Sequence, residues 1–237
     1  GVTDGTETRL SVASESAAIV TDCVDQLMSA GFQGLLIVSA NPVDLMTRVA
    51  VRRSGLAARR VIGTGTLLDT SRLKQALSGS LQVSPASIEG LVLGEHGDSE
   101  VAAFSAVRIG GQTLNRFCAG GAAPDRPAMA RAVREAGYDI IKGKGYTSYG
   151  VATAIVRICE AVIRDERAVV PVSIQLEGEY GLSGLCLSLP CVLGAGGIER
   201  ILAPDLDPEE LAGLQTSARI LEQAYAAMIL ASRVASR

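Results

Sequence analysis

Histidine is nearly missing from this sequence: His96 is the only one in 237 residues. Any site that needs two imidazoles is thereby excluded, the His-Glu-x-x-His zinc motif included. Tryptophan is absent altogether. Cysteine is sparse and odd in number, Cys23, Cys118, Cys159, Cys186 and Cys191, with no Cys-x-x-Cys pair. That pattern argues against a disulfide framework or a structural zinc and for reduced thiols in a cytoplasmic protein, and no metal is expected. Positive charge is nowhere concentrated, since 22 Lys and Arg stand against 25 Asp and Glu for a net charge of −3. Nucleic acids and anionic membrane surfaces are therefore not expected partners. No unbroken apolar run approaches the roughly 20 residues that cross a bilayer. The start, Gly1-Val2-Thr3-Asp4-Gly5-Thr6-Glu7, has neither the basic nor the apolar region of a signal peptide. What is present is ample core material, 48% hydrophobic against 20% charged, in a length that fits one large domain or two small ones.

Arg9 to Ala30 reads as a helix with an apolar stripe at Val12, Ile19, Val24, Leu27 and Met28. Gly34 to Ser39 follows as a short run without alternation, the mark of a strand with neighbours on both sides. Asn41-Pro42 ends it, with Pro42 placed in the first turn of a helix reaching about Arg53. Val61 to Gly63 is a brief extended piece and Asp69 to Leu77 a further helix. This alternation predicts part of a parallel α/β sheet with crossover helices. Beyond it, Ile88 to Leu93, Ala106 to Ile109, Val169 to Leu176 and Leu185 to Leu189 read as strands. Gly110-Gly111 reads as a tight turn and Arg116 to Pro127 as a loop. Ala128 to Lys142, Ser148 to Arg164 and Asp207 to the end read as helices, the last entered by a capping acid and a proline. The second part is thus α+β, and we divide the chain into residues 1–84 and 85–237.

His96 lies in Gly94-Glu95-His96-Gly97-Asp98-Ser99, directly after an apolar strand. A solitary histidine is more often a capped or surface residue. Here the flanking glycines leave the ring reachable at a strand end, where α/β proteins build sites, and favour acid/base use. Asp69 and Arg72 are three apart on a predicted helix. They form either a surface ion pair of roughly 0.3–0.5 kcal/mol or two separate tools. In the second case the carboxylate orients a histidine and the guanidinium grips a substrate carboxylate. Asn41 is a helix cap, a ligand donor or both, and Arg9 is a solvated residue or part of a loop that closes over a site.

Taken together, these segments resemble the L-lactate/malate dehydrogenase superfamily, and within it the L-lactate and L-2-hydroxyisocaproate dehydrogenases. The resemblance is carried by Glu7-Thr8-Arg9-Leu10, Asn41-Pro42-Val43-Asp44, Val61 to Arg72, Gly94 to Ser99 and Lys144 to Gly150, in the family's order along nearly the whole chain. It implies an α/β fold: the C-terminal half of a Rossmann-type parallel sheet, then an α+β catalytic domain with antiparallel strands and long helices. It implies an NAD-dependent oxidoreductase moving a hydride to or from the 2-carbon of a small 2-oxo or L-2-hydroxy acid. Pyruvate/L-lactate or a bulkier apolar analogue is expected. The alternatives are malate dehydrogenase and a non-catalytic oligomerisation or binding module. By resemblance His96 is the proton donor and acceptor, Asp69 its partner, and Arg9 the loop residue that polarises the carbonyl. Arg72 clamps the substrate carboxylate, Asn41 touches substrate and nicotinamide, and Thr147 lines the substrate pocket. Ser39 and Ala40 lie along the nicotinamide and Val151 against its ring. A homodimer or homotetramer is implied.

Several family features are not found in the sequence. The Gly-x-Gly-x-x-Gly spacing that cradles a pyrophosphate does not occur: Gly63, Gly143 and Gly194 each begin it, but Leu68, Ser148 and Glu199 stand at the sixth position. The expectation is a chain holding the nicotinamide side of the fold and lacking the adenosine side. The position that is arginine in malate enzymes falls near Val2 to Asp4, where there is none, which favours lactate-like substrates. Lys74 and Glu89 stand where related bacterial enzymes bind fructose 1,6-bisphosphate. An acid facing a bisphosphate is unfavourable, so no activation by it is expected.

Overall fold

Strands before and after residue 84 share one sheet. The computed structural model describes residues 13–121, 123–144 and 148–235. Helix α1 (Ala13–Ser29), strand β1 (Leu36–Val38), helix α2 (Val43–Ser54) and strand β2 (Val61–Gly63) follow in sequence order. β1 and β2 pair in parallel, Leu36 with Val61 through Val38 with Gly63. Pro42 occupies the cap of α2 rather than its first turn, because its ψ of 116° is extended and helical geometry begins only at Val43. Asn41 therefore does not cap the helix. Helix α3 (Leu67–Leu81) extends the predicted segment at both ends.

The run Ile88 to Leu93 is not one strand. β3 (Ile88–Glu89) and β4 (Val92–Leu93) belong to different small sheets. The cause is that the chain crosses between two cores here. Ile88 and Val92 pack with Leu73, Leu77, Val107 and Leu114, whereas Leu93 joins the main core under the large sheet. β4 pairs with β5 (Val101–Ala102), and β3 with β6 (Arg108–Ile109), which turns into β7 (Gln112–Thr113). Gly110 and Gly111 supply the turn with φ of 56° and 78°, the left-handed pair that a two-residue hairpin requires. The segment read as a loop begins inside a single helical turn, α4 (Leu114–Phe117), capped by the Thr113 hydroxyl at 3.3 Å from Arg116 N.

Two long helices, α5 (Arg126–Lys144) and α6 (Tyr149–Ile163), precede an antiparallel meander of β8 (Ala168–Glu177), β9 (Ser183–Gly194) and β10 (Gly197–Ile201). The strand read as ending at Leu189 runs on to Gly194, and β10, which was not expected, pairs back on it in a hairpin. Helix α7 (Pro208–Ala235) closes the described chain. Its entry is a reciprocal cap: Asp207 Oδ1 accepts from Glu210 N at 2.9 Å, and Glu210 Oε2 accepts from Asp207 N at 3.3 Å.

The large sheet has the order β1-β2-β8-β9-β10. β1, expected between two neighbours, is the outer strand among the described residues. Gly63 pairs with Ser173 and joins the parallel part to the antiparallel part. A Cβ at Gly63 would meet Thr47 Oγ1 at 2.3 Å and Ser173 Cβ at 2.8 Å, so glycine is what allows β2, β8 and α2 to approach this closely. The main core lies beneath, with Leu45, Met46, Ile62, Ile174, Leu176 and Leu187 fully buried, each contributing about 1.5–3 kcal/mol. All five cysteines are free thiols, and burial pushes Cys191 up to about 12 and Cys186 upward as well. Among the described residues no helix is long and apolar enough to cross a membrane.

Candidate active site

The loop that carries His96 leaves β4 and is gripped by the elements around it. Gly94 exchanges two backbone hydrogen bonds with Ser188 of β9, at 2.9 and 3.0 Å. Glu95 N donates to Ser217 Oγ of α7 at 2.8 Å, and the Glu95 carboxylate accepts from both N and Oγ of Ser99. His96 N donates to Asp44 Oδ2 of α2 at 2.8 Å. On the far side Tyr138 of α5 donates its hydroxyl to Asp98 at 2.9 Å. Gly94 has a φ of +87°, which turns the chain sharply out of the strand.

Helix α3 brings the acid. Thr66 Oγ1 donates to Val92 O at 2.5 Å and Val92 N donates to Thr70 Oγ1 at 2.9 Å, so both backbone groups of Val92 are tied to threonines of this helix entry. Asp69 lies between those threonines and is buried. Its Oδ2 is 2.5 Å from His96 Nδ1, and its Oδ1 accepts from Arg72 Nη1 at 2.8 Å. The i,i+3 pair of Asp69 and Arg72 exists, but it is sheltered rather than on the surface, and the same carboxylate holds the imidazole. His96 keeps 14% of its side-chain surface exposed and Arg72 16%, enough for a small molecule to reach both.

Ser39, Ala40 and Asn41 are exposed at the carboxyl end of β1, the position at which open parallel sheets bind nucleotides. Asn41 is three residues before Asp44, whose carboxylate touches the His96 backbone, so the motif spans from the sheet crevice to the histidine loop. Val151 sits in the first turn of α6. Its neighbour Gly150 is against the Leu68 side chain, beside Asp69, and a Cβ at Gly150 would lie 3.0 Å from Leu68 Cδ2. The structure accordingly joins His96 and Arg72 through the Asp69 carboxylate, with Asn41 and Val151 on other elements. Arg9 and Thr147 lie outside the described residues.

Two acids had no role in the sequence reading. Glu100 is buried, and ligand atoms of Asp69, His96 and Glu100 all lie within 4.8 Å of one another. Asp69 and His96 are already engaged with each other, and the Arg72 cation beside them opposes a divalent ion, so the trio suits proton transfer better than metal binding. Asp44 is the other. Burial raises its carboxyl to about 6, against the hydrogen bonds from Ser173 and the His96 backbone, which lower it. The signal was present, an acid in the first turn of α2 among Val43, Leu45 and Met46, since a carboxylate in such company is buried and paired. A groove of about 650 Å³ lies between α1, α2 and α7 around Arg52 and Tyr225 and contains none of these groups.

The profile of the lactate/malate dehydrogenase NAD-binding domain matches residues 3–63, and that of the lactate/malate dehydrogenase alpha/beta C-terminal domain matches residues 66–229. The chain belongs to the lactate/malate dehydrogenase family. It is 40% identical over 227 residues to L-lactate dehydrogenase of Treponema denticola, covering 94% of this chain and 72% of that protein. To the Thermus aquaticus L-lactate dehydrogenase it is 42% identical over 226 residues, 94% of this chain and 73% of the relative. Among solved structures it is similar to the minor L-lactate dehydrogenase of Enterococcus mundtii, with a TM-score of 0.89 and 36% identity over 94% of this chain and 72% of that one. A lactate dehydrogenase from a deep-sea metagenome library gives a TM-score of 0.90 at 34% identity, over 95% of this chain and 73% of the other. These neighbours match the mixed sheet and its helices over nearly the whole chain.

Proposed function

We propose that this lactate/malate dehydrogenase family member interconverts L-lactate and pyruvate with NAD. The observation that carries the reading is the Asp69 carboxylate, which touches His96 Nδ1 and Arg72 Nη1 together. With Nδ1 held by Asp69, Nε2 is the ring nitrogen that serves the substrate oxygen. His96 gives its proton to the oxygen of the 2-oxo acid during reduction and takes it back during oxidation, while Asp69 stabilises the imidazolium in between. Arg72 holds the substrate carboxylate, and Arg9 adds positive charge where negative charge grows in the transition state.

The exposed Ser39, Ala40 and Asn41 at the carboxyl end of β1 fit the nicotinamide end of NAD, and by the family resemblance Val151 is assigned to the same ring and Thr147 to the substrate pocket. Bound there, NADH supplies the hydride. All relatives named above are lactate enzymes, which supports pyruvate over oxaloacetate. We place the enzyme in the cytoplasm as a homodimer or homotetramer. Tyr149, Val156 and Ile163, seven residues apart, leave one apolar stripe exposed on α6, and a second copy would cover it.

The test is NADH oxidation by the full chain with a series of 2-oxo acids. Pyruvate is expected to be reduced in preference to oxaloacetate, and His96→Asn to abolish turnover. Preference for oxaloacetate would move the enzyme to the malate branch. No turnover with any 2-oxo acid would leave a non-catalytic binding module.

A further inference from the structure

We infer that Asp44 is a positioning residue for His96, acting through a three-way junction of α2, the histidine loop and β8. The inference rests on His96 being the proton donor. Asp44 Oδ2 accepts from His96 N at 2.8 Å, and Oδ1 accepts from Ser173 Oγ at 2.5 Å. Both oxygens are thus spoken for, by partners 52 and 129 residues away in sequence. Asp44 and Ser173 are both buried, with Ser173 at 0% exposure.

The junction is closed from every side. Ser173 sits in β8 opposite Gly63, where no side chain intervenes. Asp44 belongs to the first turn of α2, where the helix dipole favours a negative charge. The ionisable groups that act on it are His96 and Glu95 of the loop, and Asp44 in turn acts on the Cys186 thiol of β9.

This arrangement fixes a height. Asp69 sets the direction of the imidazole, but a side-chain contact cannot by itself fix where the His96 Cα stands. Asp44 supplies that second constraint, holding the backbone N–H while Asp69 holds the ring. Because Asn41 precedes Asp44 by only three residues, the same segment that meets the nicotinamide also fixes the proton donor. A carboxylate so placed aligns hydride and proton delivery on one substrate carbonyl, and misplacement by about 1 Å costs up to about 100-fold in rate.

The experiment uses the full chain with Asp44→Ala, Asp44→Asn, Ser173→Ala and His96→Asn, with folding checked by circular dichroism. Two readouts are taken: kcat and KM for pyruvate, and the NMR titration of the imidazole, which gives a single resonance because His96 is the only histidine. Asp44→Ala is expected to lower kcat by about 10–100-fold, with KM within about threefold, and to displace the titration midpoint. Asp44→Asn keeps an oxygen that accepts from His96 N–H and is expected to stay within about fivefold of wild-type kcat. Ser173→Ala is expected to lower kcat by roughly threefold and to displace the midpoint in the same direction as Asp44→Ala. Folded Asp44→Ala with wild-type kcat and midpoint would overturn the inference. Should Asp44→Ala not fold, wild-type values in Ser173→Ala would overturn it equally. In either case an inactive His96→Asn shows that the proton donor assignment stands and only the Asp44 inference has failed, whereas an active His96→Asn removes both.

Discussion

Asp69 Oδ2 lies 2.5 Å from His96 Nδ1, inside hydrogen-bond range and out of bulk water. The contact joins an acid on α3 to an imidazole on a loop 27 residues later. Asp69→Asn keeps the shape of that contact and removes its charge, so the imidazolium formed during catalysis loses its stabilising partner. The expected result is a fall in kcat for pyruvate reduction on the order of 10²–10⁴, with thermal stability changed little. Stopped-flow measurement of NADH oxidation checks it, and a kcat within a factor of a few of wild type would remove Asp69 from the mechanism.

The direction of pH dependence follows from which form of His96 each reaction consumes. Pyruvate reduction needs the imidazolium, and lactate oxidation needs the neutral ring. Reduction therefore slows as pH rises through the His96 titration, and oxidation quickens over the same interval. Initial rates in both directions across pH 5 to 9 test this. Parallel profiles in the two directions would assign the proton to another group.

Arg72 and Arg9 divide the electrostatic work, and substitution separates their shares. Arg72→Lys replaces a planar fork by a point charge, so the paired contact with a substrate carboxylate is lost while the charge stays. KM for pyruvate is expected to rise by about 10–100-fold with kcat changed less. Arg9→Gln should act the other way, lowering kcat more than it raises KM. If both variants altered KM alone, the division would not exist.

Asp44 also gives the fold a pH signature. Its carboxyl rises from 3.8 to about 6 because burial penalises the charged form. Between those values the folded protein keeps the proton and the unfolded chain does not, so rising pH favours unfolding in that interval. The associated stability is fully present below pH 3.8, is lost as pH passes about 6, and amounts to about 3 kcal/mol. The comparison with Asp44→Asn isolates it, because carboxylates elsewhere titrate alike in both proteins. Wild-type Tm minus variant Tm is expected to fall from pH 4 to pH 7 and then stay level. A constant difference would mean that Asp44 ionises in the fold as freely as in water.

How much of this was legible in the sequence depended on whether a signal was local. Helices α1, α2, α3, α5, α6 and α7 follow from apolar spacing and capping residues, and the β6–β7 turn from two adjacent glycines. The pairing of Asp69 with His96 came from the family pattern rather than from spacing, since nothing in the 26 intervening residues states that Thr66 and Thr70 bind Val92. Ser173 and Ser217 were invisible for a similar reason. Each is a small polar residue in a long apolar element, and its partner in the histidine loop or on α2 is set only by packing. The short strands β3 and β4 were misread as one because Ile88 and Leu91 to Leu93 were joined across Glu89 and Gly90, while the cores they serve are two.

Gly94 offers the sharpest test of how tightly the histidine loop is built. Its φ of +87° is a conformation that a Cβ disfavours, and a Cβ there would stand 2.8 Å from Ser217 Oγ. That hydroxyl cannot simply withdraw, because it accepts from Glu95 N and lies 3.0 Å from Ser99 Oγ. Gly94→Ala should therefore cost about 2–4 kcal/mol of stability and lower kcat as the loop shifts His96 away from Asp69. Gly79→Ala is the control. It lies inside α3 with nothing within 4 Å of its would-be Cβ, and should stabilise by about 0.5–1 kcal/mol without touching kcat. Urea unfolding and pyruvate reduction are measured on both. Equal effects from the two substitutions would show that the histidine loop tolerates backbone change as readily as an exposed helix, which a loop held by Ser188, Ser217, Asp44 and Asp69 should not.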